Sequence, residues 1–286
     1  MGTDVPAMLD VFFGAMEDLD ERRGRPRQPR NPAALEMHFG HLLSTDPGTS
    51  FVAIDRGRIV AFGILMVRDG DAFLSFLFVL PQWQGRGMGR AIIKACLGGA
   101  GEIVRLSTCA EADQLVSTGL YASLGLAPRE PVYLVRGEID ESMLPLLPDG
   151  LRARALASEA VADLDAELLG YRRSQDHHLW AGGERRGWMF EANGGSIIGY
   201  GYAHHSGRIG PVVARDAAHL PALLGHIVRS TPVLEGWQAV VGGRAIETLR
   251  LLLAAGMRLD GTPAIYCAER PGPRLDRYLP MSFALL

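Results

Sequence analysis

The sequence lacks the features that mark membrane, secreted and metal-binding proteins. No apolar run reaches the roughly 18 residues that a membrane-spanning helix needs, and the N-terminus has no basic segment followed by an apolar one. The three cysteines, Cys96, Cys109 and Cys267, are too few and too far apart for a disulfide framework or a zinc cluster. We therefore expect a cytoplasmic protein with no bound metal and no membrane partner.

The sequence also has little excess charge of either sign. Its 29 basic and 32 acidic residues give a formal net charge of -3. A chain so balanced has no overall attraction to polyanions, so we expect no nucleic-acid partner. With 286 residues, of which 48% are hydrophobic and 21% charged, the chain is long enough for two globular domains.

The order of apolar patterns divides the chain into two similar halves. Helical spacing and β-rich runs in the first half predict helices over residues 5–19, 32–43, 87–97 and 111–124, and strands over 50–55, 58–67, 72–80, 103–107 and 132–136. The second half predicts strands over 151–156, 188–192, 197–203, 208–213, 237–241 and 264–268, and helices over 158–169, 219–228 and 245–255. Pro145, Pro148 and Gly150 mark a linker between them. We predict domains at residues 1–137 and 151–286, joined by a linker over 138–150.

A local pattern recurs in the two halves and indicates a diverged tandem duplication. The segment from Tyr121 to Leu126, with Pro131 soon after, resembles the segment from Leu252 to Met257, with Pro263 soon after. In each, an apolar helix ends in a glycine and leads into a last strand. Two unrelated α/β domains are the alternative.

A glycine-rich turn follows the strand over residues 72–80. Pro81 ends that strand, Gly85, Gly87 and Gly89 alternate with other residues, and a helix begins. The start of a helix offers unpaired backbone N–H groups, and glycines let the backbone approach a phosphate closely. The turn therefore predicts a site for a pyrophosphate, with a Rossmann-type dinucleotide site or a turn that binds nothing as alternatives.

This turn resembles the phosphate signature of the GCN5-related N-acetyltransferase (GNAT) family, matched here by Gln84, Gly87 and Gly89. The resemblance covers residues 5–137 and implies acetyl-CoA as the acyl donor. It also implies two tandem domains of α/β (α+β) class, each a mixed, mostly antiparallel sheet flanked by helices. The cofactor-binding residues that it implies are Phe78, Val79, Gln84, Gly85, Arg86, Gly87, Met88, Gly89, Arg90 and Gln114.

The same resemblance implies that Tyr121 is the catalytic acid. In the family, an asparagine and a tyrosine share one helix; here Gln114 stands at the asparagine position and Tyr121 at that of the tyrosine. The tyrosine would protonate the thiolate that leaves, and an aromatic side chain packed at the helix end is the alternative.

No residue stands out as a general base. Ser75 is the polar side chain of the strand before the turn, and Glu36, His38 and His41 lie on the second predicted helix. A proton route through water is an equal alternative.

The second half of the sequence lacks both the glycine-rich turn and the tyrosine. Residues 214–218 contain no glycine where the turn should be, and Leu252 stands where Tyr121 does. We expect this half to be a degenerate domain without a cofactor site. We also expect the apolar tail over residues 277–286 to complete the edge of the first half's sheet, unless the native chain starts further upstream.

The sequence therefore predicts an N-acetyltransferase that moves acetyl from acetyl-CoA to a primary amine of a small-molecule or peptide acceptor. A non-catalytic acyl-CoA-binding sensor or scaffold is the alternative. The acceptor is not predicted by any motif, and a homodimer stays open.

Overall fold

The computed structural model describes residues 4–27, 29–182 and 185–286. The chain divides into two compact units, Met1–Leu106 and Ser107–Leu286. The domains inferred from the sequence follow a repeat, whereas these units follow packing, so the boundaries of the repeat stay a prediction.

The first unit combines three helices with an antiparallel sheet of three strands. The helices are α1 (Val5–Arg22), α2 (Pro32–Thr45) and α3 (Met88–Gly99), and the strands are β1 (Ser50–Asp55), β2 (Arg58–Arg68) and β3 (Asp71–Val79). All six elements were predicted from periodicity. Two-residue turns join the strands, with Arg56 and Gly57 in the first and Asp69 and Gly70 in the second, all at positive φ. Such turns match the twist of a hairpin.

A cluster of aromatic rings forms the centre of the first unit. Phe39 of α2 lies 5.4 Å from Phe62 and 4.8 Å from Phe76 between ring centroids, and Phe12 of α1 lies 4.6 Å from Phe78. These contacts fix α1 and α2 against β2 and β3. The end of β3, from which the glycine turn leaves, is therefore held from one side by packed rings.

The second unit is a mixed sheet with helices. Its strands are β4 (Arg105–Glu111, which begins at the junction of the units), β5 (Ala127–Gly137), β6 (Leu151–Ala155), β7 (Arg185–Ala192), β8 (Ile197–His204), β9 (Arg208–Ala214), β10 (Trp237–Gly242), β11 (Arg258–Ala268) and β12 (Tyr278–Leu279). Its helices are α4 (Leu115–Ala122), α5 (Ala162–Leu168), α6 (Ser174–Ala181), α7 (Leu220–Ser230) and α8 (Ile246–Ala254). The strand order is β4-β11-β5-β10-β9-β8-β7-β6, with β12 on β9. The α/β fold class is confirmed.

The last strands of the two sequence halves are interleaved. β11 lies between β4 and β5, and β5 lies between β11 and β10, with all of these pairs antiparallel. Each half thus places its final strand beside a strand of the other half. No local sequence pattern predicts that β5 and β11 interleave, because strand pairing depends on packing between residues that are far apart in the sequence.

The structure differs from the sequence predictions in two respects. Helix α6 was missed, because its sequence is polar and buries only one side, through Asp176, His177 and Trp180. The tail does not complete the edge of the first half's sheet: β12 pairs with β9 instead, with Tyr278 opposite Val213. Its apolar side chains fill the interior of the second unit, where their burial stabilises the fold.

Among residues 4–27, 29–182 and 185–286, no helix is both long and apolar enough to cross a membrane.

Candidate functional site

The strand that leads to the glycine turn carries a bulge. The register between β2 and β3 shifts beside Ile64, so that Ser75 of β3 is the extra residue. A bulge bends a strand and redirects the residues after it. Phe78 and Val79, the predicted backbone contacts of the acyl donor, lie after this bend, opposite Phe62 and Ala61 of β2.

Gln84 connects the turn to the end of β3. Its side-chain Nε2 donates to the carbonyl oxygen of Val79 at 3.0 Å, and its backbone N–H donates to the carbonyl of Pro81 at 3.1 Å. These bonds close the five-residue segment between strand and turn. Gln84 therefore stabilises the backbone conformation of the turn. Its hydrogen bond also occupies the carbonyl oxygen of Val79, one of the residues predicted to contact the acyl donor.

Two glycines of the turn adopt conformations that other residues avoid. Gly85 has φ of 72° and Gly87 has φ of 79°, both in the left-handed region. A Cβ atom built on either would meet no atom of the described residues within 4 Å. The glycines thus leave open space in front of the backbone, which is the room that a phosphate group needs.

Helix α3 begins at this open space. Gly87 is its N-cap and provides no side-chain cap, and the first turn holds no acidic residue. The first amides of a helix lack partners within the helix and carry partial positive charge. Arg86, Met88, Gly89 and Arg90 complete the predicted set, with the guanidinium of Arg86 5.3 Å from the ring centroid of Trp83. This segment suits a pyrophosphate.

Tyr121 and Gln114 lie in the second unit, at opposite ends of α4. Tyr121 is 5% exposed, and its hydroxyl is hydrogen-bonded to the side chain of Thr108 on β4. Burial raises the pKa of Tyr121 well above its ordinary value, so the hydroxyl keeps its proton. Gln114 is the N-cap of α4, without a side-chain cap bond. Thr108 was missed by the sequence analysis, since a threonine in a strand carries no signal of its own.

The candidates for a general base remain without a decisive feature. Glu36 is exposed and His38 and His41 are half-buried on α2. In the described part of the chain, no three His, Cys, Asp or Glu side chains are grouped so that they could hold a metal ion.

In the second half, the position that corresponds to the glycine turn is closed by a side chain. After β9, the carboxylate of Asp216 accepts a hydrogen bond from the N–H of Ala218 at 3.0 Å, at the start of a 3-10 helix that leads into α7. An internal carboxylate thus occupies a helix-start amide that would otherwise be available to an external anion.

The tail lies along the strand before this closed turn. β9 and β10 pair in parallel only at Arg208 and Ile209. Further along β9, the N–H of Ala214 donates to the carbonyl of Arg277 at 2.9 Å, and Tyr278 and Leu279 pair with the strand. The backbone groups of β9 are therefore used by the chain's own tail.

A buried polar cluster anchors the tail in the second half. Arg173 donates to the hydroxyls of Tyr278 at 2.7 Å and of Tyr200 at 2.6 Å, while His177 Nε2 lies 2.8 Å from Asp165 Oδ2. Burial alone would raise the pKa of Asp165, but the charge of Arg173 and the bonds from His177 and Tyr200 hold it below its ordinary value. No sequence pattern indicates this cluster, because its members are scattered along the chain.

Three comparisons relate the chain to known proteins. The model of the acetyltransferase (GNAT) family matches residues 13–126. Mycothiol acetyltransferase of Nocardia farcinica is 28% identical over 144 residues, which make up 48% of this chain and 46% of that protein. The chain thus spans about half the length of this curated relative.

Solved structures share the fold over nearly the whole chain. A Pyrococcus horikoshii protein superposes with a TM-score of 0.77 at 16% identity, covering 100% of this chain and 94% of that one. A tandem GNAT protein from the clavulanic acid biosynthesis pathway superposes with a TM-score of 0.56 at 16% identity, covering 93% and 96%. At such low identity, these likenesses show the arrangement of elements alone.

Proposed function

Because the chain belongs to the acetyltransferase (GNAT) family, we propose that it transfers an acetyl group from acetyl-CoA to a primary amine of a small molecule or peptide. The observation that carries the proposal is the turn from Gln84 to Arg90. It combines left-handed glycines at Gly85 and Gly87, open space in front of them and the uncapped start of α3. These are the properties that binding of a pyrophosphate requires.

The residues present fit acetyl-CoA as the donor. The amides from Gly87 to Arg90 would hold the pyrophosphate, the side chain of Arg86 would add charge, and the backbone of Phe78 and Val79 would contact the rest of the donor. The thioester of the bound donor supplies an activated acetyl carbonyl. A neutral amine forms the new C–N bond as the C–S bond breaks.

Tyr121 is the proposed proton donor to the thiolate. Its raised pKa keeps it protonated at neutral pH, and Thr108 fixes the direction of its hydroxyl. The proton that the amine loses leaves through water or through one of Glu36, His38 and His41, so that protons balance over the cycle.

We further propose that one acyl donor binds per chain and that, in the acyl transfer, the domain over residues 151–286 has a structural part only. In that half, the carboxylate of Asp216 and the tail at Tyr278 and Leu279 use the backbone groups that a donor would need. Leu252, buried on α8, provides no acid.

The direct test is calorimetry of CoA binding to the Gly87→Val variant. The branched side chain would be strained at a φ of 79° and would enter the open space. Loss of two charge-assisted contacts, each about 1.5 kcal/mol, lowers the affinity by about 100-fold. Gly101→Val, at an exposed glycine of the same unit without a positive φ, is the matched control. Unchanged affinity in a folded Gly87→Val protein would contradict the assignment.

A second candidate is an acyl-CoA-binding module without catalysis. The observation that favours it is the burial of the Tyr121 hydroxyl against Thr108. Release of free CoA thiol from acetyl-CoA with a panel of primary amines separates the two: turnover with any amine supports the transferase, and tight binding without turnover supports the module.

A further inference from the structure

The paired strands of the second unit place arginines side by side. Arg208 of β9 is opposite Gln238 of β10, Gln238 is opposite Arg136 of β5, and Arg136 is opposite Arg258 of β11. Residues paired across strands point to the same face and are about 4.8 Å apart. The four side chains therefore form one row across four adjacent strands.

Two guanidinium groups of this row converge on a single oxygen. Arg208 Nη2 lies 3.1 Å and Arg136 Nη2 lies 3.3 Å from Gln238 Oε1. Arg185 of β7 extends the row. Its side chain reaches across β8 to β9, where Nη1 donates to the carbonyl of Gly210 at 3.2 Å. Gly210 is two residues after Arg208. We call Arg136, Arg185, Arg208 and Arg258 the arginine row.

The row lies on the face of the sheet opposite the apolar core. The neighbours of its members along the strands, Ile209, Ala239 and Val135, are buried in the cluster that packs under α7 and α8. Because side chains alternate along a strand, Arg208, Gln238 and Arg136 point away from that cluster. Packing of the core thus does not explain why arginines occupy these positions.

The row has few negative partners. Arg136 Nε lies 3.4 Å from Asp260 Oδ2, and both side chains are about half exposed. Among the described residues, no carboxylate pairs with Arg185, Arg208 or Arg258. Burial and, to a smaller extent, the charge of Arg136 together lower the pKa of Arg208 to about 10. Burial and the charge of Arg208 lower the pKa of Arg185 to about 10 in the same way. Half-buried cations without a counter-ion are unfavourable.

We propose that the arginine row is an oxyanion-binding site, in which Arg208 and Arg136 hold a phosphate or carboxylate group over Gln238. Guanidinium groups bind such oxygens through two parallel hydrogen bonds, and an anion would supply the missing negative charge. The site is separate from the glycine turn, and it does not rest on the proposed acyl transfer.

Thermal unfolding in sodium phosphate, compared with sodium chloride at equal ionic strength, tests the proposal. The wild type should gain about 2–4 °C in its midpoint in phosphate, because a ligand that binds only the folded state stabilises it. Arg208→Gln and the exposed Arg136→Gln should each lose this gain. Arg186→Gln, one residue along β7 on the opposite face and bonded to the carbonyl of Ser230, is the control and should keep it.

The behaviour of Arg208→Gln in chloride gives a second readout. A purely structural arginine would make this variant less stable than the wild type. In an anion-binding site without its anion, Arg208 is repelled by the neighbouring guanidinium groups. Its replacement should therefore leave the midpoint of thermal unfolding unchanged or raise it.

The same comparison with sodium succinate distinguishes the two sources of oxygen. A gain in phosphate alone assigns a phosphoryl group, and a gain in succinate assigns a carboxylate; both support the site. No gain in either anion, or an equal loss in Arg186→Gln, would overturn it.

Discussion

The glycine turn of the first half and the Asp216 turn of the second half solve the same local problem in two ways. In both, a strand ends and a helix begins, which leaves backbone N–H groups without partners. Gly87 offers no side chain to them, whereas Asp216 bonds the N–H of Ala218 with its own carboxylate. The second turn thus contains an internal negative charge at the helix start, and the first turn contains none.

The strand before the Asp216 turn, β9, also has an additional partner from the chain itself. β9 pairs with the tail at Val212 and Val213, and Tyr278 of that tail is bonded by the buried Arg173. The second half thus differs from the first in two places, a strand that pairs with the tail and a turn that is capped by a carboxylate.

The largest effect is expected when the first turn is given the carboxylate of the second. Gly87→Asp places a negative charge at the start of α3, where it bonds the amides and repels the phosphates of CoA. We expect calorimetry to show an affinity about 100- to 1,000-fold lower. Gly87→Asn has nearly the same shape and tolerates positive φ, so it should lose only about tenfold. Equal losses in the two variants would show that the conformation of Gly87, and not charge, controls binding.

Leu252→Ala removes the buried residue that stands at the position of Tyr121 in the repeat. Since Leu252 is 0% exposed within the core under α7 and α8, the truncation should lower the free energy of unfolding by about 2–5 kcal/mol. Urea titration measures this loss. The kcat of the folded variant should stay at the wild-type value, and a specific fall in kcat would give the second half a part in the chemistry.

Tyr121→Phe keeps the ring and removes the proposed acid. The rate of acetyl transfer should fall about 100-fold, the lower range for a general acid, while CoA affinity stays the same. Tyr133→Phe on β5 removes a hydroxyl from a half-buried tyrosine of the same unit and serves as the control. A rate that Tyr121→Phe leaves unchanged would contradict the assignment of Tyr121 as the proton donor.

The smallest effect concerns two buried aspartates, one in each unit. Asp165 has several partners that lower its pKa, whereas burial raises the pKa of Asp71 to about 6 in spite of its ion pair with Arg105. The folded state therefore binds a proton at Asp71 more tightly than the unfolded state does. The stabilisation from this group is complete below pH 3.8 and is lost as pH rises to about 6.

Urea titrations of the wild type and of Asp71→Asn at several pH values between 4 and 7 isolate this contribution. The free energy of unfolding of the wild type should fall relative to that of Asp71→Asn up to about pH 6 and stay level above it. Asp69→Asn, at an exposed position of the preceding turn, makes the same charge change as a control. If the free energy of unfolding of the wild type instead rises relative to that of Asp71→Asn as pH rises, the ion pair with Arg105 outweighs burial.

Prediction from the sequence succeeded where the controlling interactions are local. The turn from Gln84 to Arg90 has its chemistry in consecutive residues, so the glycines, the strand end and the helix start were all recognisable. The repeat was recognisable for the same reason: both helix ends carry the same bond, from the N–H of Leu126 to the carbonyl of Tyr121 and from the N–H of Met257 to that of Leu252, each 3.0 Å long. Such caps depend on one glycine and a few neighbours.

Prediction failed where residues far apart in the sequence meet. Nothing near Thr108 indicates that it would bond the hydroxyl of Tyr121, and nothing near Asp165 indicates that it would pair with Arg173 and His177. The tail was correctly recognised as apolar, but it was assigned to the wrong sheet edge. An apolar segment specifies that it is buried, not where.

The sequence by itself determined the helices and strands other than α6 and β12, the glycine turn at Gly87 and the absence of that turn in the second half, because periodicity, capping and glycine conformation act over a few residues. Only the tertiary structure decided that β5 and β11 are interleaved, that the tail covers β9 and that four arginines from separate strands form one row. Strand partners and register are set by which faces can be buried together, and that choice involves the whole sheet at once.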